Sequence, residues 1–368
     1  MRNFFKVFAI LNKSEKIYFI FIILFAFFNS ILDLISIASI YPLSMSVLSI
    51  DSTSAFIEKI NLFIRETLNF NLTIFYLFTV FLIFTTKNIF NIFFLISLNH
   101  FLMKKFNNNA KQTIQSQLNL EFVNFASISY PEFHANIINQ NNNLKSYILS
   151  LVTLLSETLV LFSIATIMLI IDHKTTLIIC TFFLIFILIY LILFKKKIKI
   201  WGYKKHNIYQ GINKTLLEIY NSIRDIKILD KEIFFVNKFH KLNSDYSLID
   251  FKYETLVAIN RNIIELLILV VIIIALISLG LSSNIYNLIP VLSIYLVAFF
   301  RVYPSINKIM NNLATIKFYK VGLDYFYNER IRFNTHKIYQ SKNFPKLNFF
   351  NQIELKNVSF RYDKSKKF

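Results

Sequence analysis

Long apolar runs alternate with polar, lysine-rich stretches along this chain. Runs with few charges recur at about 17–47, 72–99, 148–171, 175–194, 257–281 and 286–304. About 30 Å of hydrocarbon takes about 20 residues of α-helix at about 1.5 Å each. The pattern therefore predicts six membrane-spanning helices. The first run is long and is interrupted near Pro42. No small-x-small cleavage site closes a short apolar core there, so it reads as a retained anchor. IDHKT joins the third and fourth runs, and LSSNIYN joins the fifth and sixth.

The polar stretches are patterned too. MRNFFKVFAILNKSEK (1–16) spaces its apolar residues as an interfacial helix does, with lysines between them. AFIEKINLFIRETL (55–68) has the same pattern and predicts a short amphipathic helix on the outer surface. The connections 100–147 and 195–256 keep helical periodicity with few breakers, so helices two to five are expected to continue well beyond the bilayer. The end of the chain differs: IELKNVSFRY (353–362) alternates apolar and polar residues as a half-buried strand does.

Composition places these runs in a membrane rather than a core. Of the residues, 55% are hydrophobic and 17% aromatic, with 42 Phe but only 4 Gly and 5 Pro. Such a chain is too apolar for an ordinary soluble domain and has few helix breakers. The net charge of +19 would suggest nucleic acid in a soluble protein. Here the basic residues set orientation instead, and no nucleic-acid partner is expected. The connections 48–71, 172–174 and 282–285 hold only Lys59, Arg65 and Lys174, while FKKKIKIWGYKK (194–205) abuts the fourth run. This asymmetry puts both termini in the cytoplasm, in a multi-pass protein of a bacterial inner membrane. Cys180 is the only cysteine, so an intrachain disulfide is ruled out.

Several stretches resemble the ABC exporters with a type-1 transmembrane fold. SIRDIKILDKEIFFVNKF (222–239) looks like the second cytoplasmic loop of that family. AFFRVYPSINKIMNNLATIKF (298–318) and DLISIASIYPL (33–43) resemble the subgroup that flips lipid-linked oligosaccharides. IELKNVSFRY is similar to the first strand of an ABC nucleotide-binding domain, in which the position of Tyr362 stacks on adenine. The resemblance implies an all-α membrane protein with six helices extending into the cytoplasm and a short C-terminal β segment. Its parts would be an interfacial helix at 1–16, a transmembrane domain at 17–335, a linker at 336–351 and the first strand of a truncated motor at 352–368. It further implies a homodimer in membrane lipid, powered by ATP and Mg through a nucleotide-binding domain supplied in cis or in trans. The cargo would be a lipid-linked oligosaccharide or similar amphiphile. The alternatives are peptide or drug export, or a membrane remnant or partner-binding protein with no ATP-driven activity.

This chain itself should bind neither ATP nor Mg. A P-loop needs G-x-x-x-x-G-K-[ST], whose glycines let backbone N–H groups reach the phosphates. Gly202, Gly211, Gly280 and Gly322 are all isolated, and no catalytic residue or metal site is expected.

The remaining chemistry lies in charges. Lys87, Arg261 and Arg301 fall inside apolar runs, where a cation is costly and so a candidate for function. Helical rise puts Lys87 about 20 Å and Arg301 about 22 Å from the outer surface. A cavity lined by all three would suit a phosphate or pyrophosphate. The bland reading is structural pairing: Arg261 with Glu265 at i,i+4, and Lys87 with Glu157. Two cytoplasmic stretches are candidates for contact with a motor. SYPEFHAN (129–136) carries Tyr130, Glu132 and Phe133, with a break expected at Pro131. LLEIYNSIRDIK (216–227) carries Glu218, Tyr220, Arg224 and Asp225. The bland reading of the second is a solvated helical bend.

Overall fold

A computed structural model describes residues 2–47, 71–120, 122–126, 128–171, 173–280, 285–335, 354 and 356–359. Every regular element among them is helical. In chain order these are α1 (Arg2–Ile10), α2 (Lys13–Ala38), α3 (Ile40–Val47), α4 (Leu72–Leu118), α5 (Phe122–Ala126) and α6 (Tyr130–His134). A π-helical turn, Ala135–Asn139, leads into α7 (Gln140–Ile171), followed by α8 (His173–Asn221) and α9 (Ile223–Ile228). The series closes with α10 (Glu232–Gly280), α11 (Ile285–Phe318) and α12 (Lys320–Thr335).

Four stretches are long and apolar enough to cross a membrane: Lys13–Val47, Leu72–Leu118, Tyr130–Ile170 and Thr176–Asn221. They match the first four predicted spans. The fifth and sixth fall on the C-terminal part of α10 and the N-terminal part of α11, helices of 49 and 34 residues. The long inner connections are helical as expected, since α4 has 47 residues and α8 has 49.

Helix α7 packs against α2, α4, α8, α11 and α12, while α8 pairs with α10. One apolar core, including Val160, Ile164, Tyr190, Ile264, Ile306 and Met310, joins α7, α8, α10 and α11. A second, including Phe19, Leu98, Phe101, Tyr147, Leu323 and Phe326, joins α2, α4, α7 and α12. Outward faces of α4 and α8 are apolar as well, with Phe78, Phe81, Ile185 and Ile192 exposed. In water such faces would be a liability; against lipid they cost nothing.

Several boundaries differ from the sequence reading, each for a local reason. The segment 1–16 is not one helix: α1 ends at Ile10, and α2 starts at Lys13 behind Asn12. The Asn12 backbone N–H donates to the Glu15 carboxylate at 3.0 Å, which satisfies one of the orphan donors that start a helix. Helix α1 buries Val7 and Ile10 against the second core rather than lying free on the bilayer. The break in the first span comes at Ser39, before Pro42, because a proline removes the hydrogen bond to the carbonyl four residues earlier. Pro304 does not interrupt α11.

Residues 55–68, the linker 336–351 and Tyr362 lie outside the described residues. The described residues of the terminal segment, 354 and 356–359, form no strand.

Candidate functional site

The first polar site is built on α2. Its buried face carries Asn29, Ser30, Asp33 and Ser36 among apolar neighbours, at the spacing of one helical stripe. Asp33 is completely buried. Lys87 of α4 places its Nζ 2.5 Å from Asp33 Oδ1, while Arg301 of α11 donates from Nη2 to Oδ2 at 2.7 Å. Lys87 also donates to Ser36 Oγ at 3.5 Å, and its Nζ lies 5.3 Å from the centre of the Phe84 ring. One turn earlier on the same stripe, the Asn29 amide donates to Asn91 Oδ1 at 3.1 Å.

Two cations thus share one carboxylate, leaving one positive charge in a low-dielectric setting. The cluster is also incompletely bonded. Asp33 Oδ1 meets Lys87 as an ion pair whose geometry is not that of a hydrogen bond, and the buried Nε of Arg301 has no partner among the described residues. An anion reaching the cluster would neutralise the surplus.

A second polar node follows on α11. Ser305 and Lys308 donate to the two oxygens of Glu157 on α7, at 2.8 and 2.7 Å. Arg301, Ser305 and Lys308 therefore share one face of α11 at i, i+4 and i+7. Further along α11, Asn260 bridges Tyr190 and Asn311, and Tyr253 meets Thr315.

An apolar pocket of about 390 Å³ opens between α7, α8 and α11. Phe299, Val302 and Ile306 line it, so it adjoins the α11 turns that carry Arg301 and Ser305. Its only polar linings are Thr158, Thr176 and Cys180.

The expected cation trio is only partly assembled. Lys87 and Arg301 meet through Asp33, but Arg261 is exposed. It follows the buried Asn260, and a helix turns about 100° per residue, so it points away from the contact that Asn260 makes. Neither structural pair considered from the sequence is formed. Glu265 is exposed and makes no ion pair with Arg261 among the described residues, and Glu157 takes Lys308 in place of Lys87. Sequence reasoning missed Asp33 as the shared counter-ion, and missed Ser305 and Lys308. The polar stripe 29–36 was the available signal for the first.

The motor-contact candidates lie at turns. Ser129 precedes α6, whose first turn holds Pro131, as the break there required. Tyr130 and Glu132 are exposed, while Phe133 is half-buried with its ring 6.1 Å from that of Phe125. The second stretch forms a sharp turn between α8 and α10, with the six-residue α9 at its tip and Asp230 at φ 50°. Glu218 is held by Lys238 at 2.6 Å, whereas Arg224 and Asp225 are free on the surface. Tyr220, Ile223, Ile228, Ile233 and Phe234 are all exposed there. This tip is about 40 Å past the apolar end of α8 at about 1.5 Å per residue. Lipid does not cover this patch, and an exposed apolar patch in water is a docking surface by default.

Ion pairs and hydrogen bonds fasten the N-terminal part of the chain to α4 and α12, and α12 to α8. Glu15 accepts from Lys105 at 2.8 Å and from Asn108 at 3.1 Å, and Lys105 also donates to the Ile10 carbonyl. On α12, Asp324 accepts from Lys6 at 2.5 Å and from Tyr203 at 2.6 Å. Burial alone would raise the Asp324 carboxyl, but the hydrogen bonds from Lys6 and Tyr203 reverse this and hold it below the usual range.

A Cβ on Gly202 would fall 1.9 Å from the Phe318 carbonyl oxygen, and one on Gly322 would fall 2.6 Å from the Leu144 nitrogen. Both serve close helix contact. No protein-family model matches the chain.

Proposed function

We propose that this chain is the transmembrane region of an ATP-driven exporter of the ABC type-1 class, moving a phosphate-bearing amphiphile such as a lipid-linked oligosaccharide. The observation that carries the reading is the pair α8 and α10. Two 49-residue helices run far beyond the apolar segment and turn at a six-residue helix with an apolar, uncovered tip. A channel or a simple anchor has no use for such levers; a transporter worked from the cytoplasm does.

The polar site fits the cargo. Lys87 and Arg301 offer surplus positive charge for a phosphate or pyrophosphate, next to an apolar pocket suited to a tail. Arg261, exposed in one copy, would complete the cavity from the second half of a homodimer. The nucleotide and Mg would be held by a motor domain in cis or in trans, with Tyr362 at its first strand. Tyr130, Glu132, Phe133, Glu218, Tyr220, Arg224 and Asp225 would form the surface that the motor grips.

The test is translocation in vesicles. The chain is reconstituted with a completed nucleotide-binding domain, and a fluorescent lipid-linked pyrophosphoryl oligosaccharide is followed from leaflet to leaflet. Movement that requires ATP hydrolysis supports the reading. Hydrolysis that no amphiphilic cargo stimulates, together with no movement, contradicts it.

A further inference from the structure

A second basic site lies lower on the same helices, away from Arg301. Helix α8 carries Lys195, Lys196, Lys197 and Lys199 directly after its apolar segment. Lys317 ends α11 and Lys320 begins α12. Helices α8 and α11 run parallel. Cys180 to Leu188 share one pocket with Ala298 to Ile306, and further along Gly202 touches the Phe318 backbone. With 1.9 Å between an added Cβ and the Phe318 oxygen, the helices approach as closely here as backbones allow. Lys199 is one turn before Gly202 and Lys317 directly precedes Phe318, so the two sets of lysines sit on adjoining turns.

Their direction matters. Side chains on a helix lean toward its N-terminus. In both helices that direction is toward the apolar segment. On α8 the ammonium groups of Lys195 and Lys199 therefore gather at the level where hydrocarbon gives way to headgroups, and Lys317 meets them from α11, beyond the end of its own apolar run at 304.

Acidic partners are few. Lys320 lies 4.0 Å from Asp324, and Lys199 has only the face of Tyr203 at 5.8 Å. Among the described residues, Lys195 and Lys317 make no ion pair or hydrogen bond. Lys317 is half-buried, and burial together with the charges of Lys195, Lys320 and Lys199 lowers its affinity for its own proton. Such a cluster is poised for an anion. The exposed apolar residues Ile192, Leu193 and Ile200 lie beside it and favour a ligand that also has acyl chains.

We propose that Lys195, Lys199 and Lys317 bind the phosphodiester headgroup of an anionic phospholipid of the phosphatidylglycerol type, at the surface of the leaflet facing the long helical extensions. A zwitterionic lipid fits less well, because its cationic group would meet the same lysines. The site requires only that α8 crosses the bilayer, and so is independent of any transport activity.

Trp201, the only tryptophan in the chain, is half-buried between the lysines and Gly202 and serves as a reporter. The full chain is placed in phosphatidylcholine vesicles containing an equal small fraction of spin-labelled phosphatidylglycerol or spin-labelled phosphatidylcholine, with the label near the headgroup. The phosphatidylglycerol probe should quench Trp201 at about five- to tenfold lower mole fraction. The preference should shrink at high salt. It should vanish in the Lys199→Gln, Lys317→Gln double variant at unchanged helical circular dichroism, and persist in Lys317→Arg. Equal quenching by the two lipids overturns the proposal. So does a preference that survives both high salt and the double substitution. Loss of the preference on adding inorganic phosphate also overturns it, since the site would then be for a free anion.

Discussion

Glu15 and Asp33 both lie on the buried face of α2, and both take a lysine from α4, yet their surroundings are built differently. Glu15 faces one cation, Lys105, and its remaining capacity is filled by Asn108 and the Asn12 backbone. A second cation, Arg330, stands beside that pair and is itself held by the Ile10 carbonyl and Asn12 Oδ1, so each group there has a hydrogen-bond partner. Asp33 faces two cations, one of which keeps a buried donor without a partner. A matched pair fastens helices together. A site with surplus charge holds something back for a third party, and structural needs alone do not explain why Arg301 sits where Lys87 already neutralises Asp33.

Three substitutions or conditions sharpen this contrast. The largest effect belongs to Glu15→Gln, which strands Lys105 at 2% exposure. It should destabilise the protein by about 3–5 kcal/mol in thermal unfolding in micelles. Asp33→Asn should cost less, on the order of 2–3 kcal/mol, because Lys87 and Arg301 are 13% and 26% exposed and can recruit water. A larger loss for Asp33→Asn than for Glu15→Gln would make the Asp33 cluster the main structural lock and remove the distinction.

The smallest effect is one of pH. Asp324 is held below its ordinary value by Lys6 and Tyr203, so its contribution is fully present above the unfolded value of about 4. It is lost as pH falls through the lower folded value. Hydrogen exchange of α1 should therefore accelerate in acid, below about pH 4, before that of α7 does. Equal protection of α1 down the same range would show that Asp324 does not hold it.

Much of this was legible in the sequence because it depends on local runs. The first four span positions follow from apolar length, the long helices from unbroken periodicity, and the turns at α6 and α9 from Pro131 and the SIRDIK stretch. What was not legible depends on which helix faces which. Arg301 meets a carboxylate far away on α2 rather than a neighbour on its own helix, and Glu157 finds Lys308 rather than Lys87. Periodicity gives the face of a helix, not its partner across the gap. The i,i+4 spacing of Arg261 and Glu265 offered a local pair, which is not formed among the described residues.

The most direct measurement of the proposed activity is ATP-driven flipping by an Arg301→Gln protein supplied with a nucleotide-binding domain. Asp33 keeps Lys87 in that variant, so the protein should insert and unfold nearly as the unaltered one does. The expected result is loss of translocation of the pyrophosphate-linked lipid, with ATP hydrolysis no longer stimulated by it. Translocation at the unaltered rate, in a protein with unchanged stability, would contradict the assignment of the Asp33–Lys87–Arg301 cluster as the cargo's anion site.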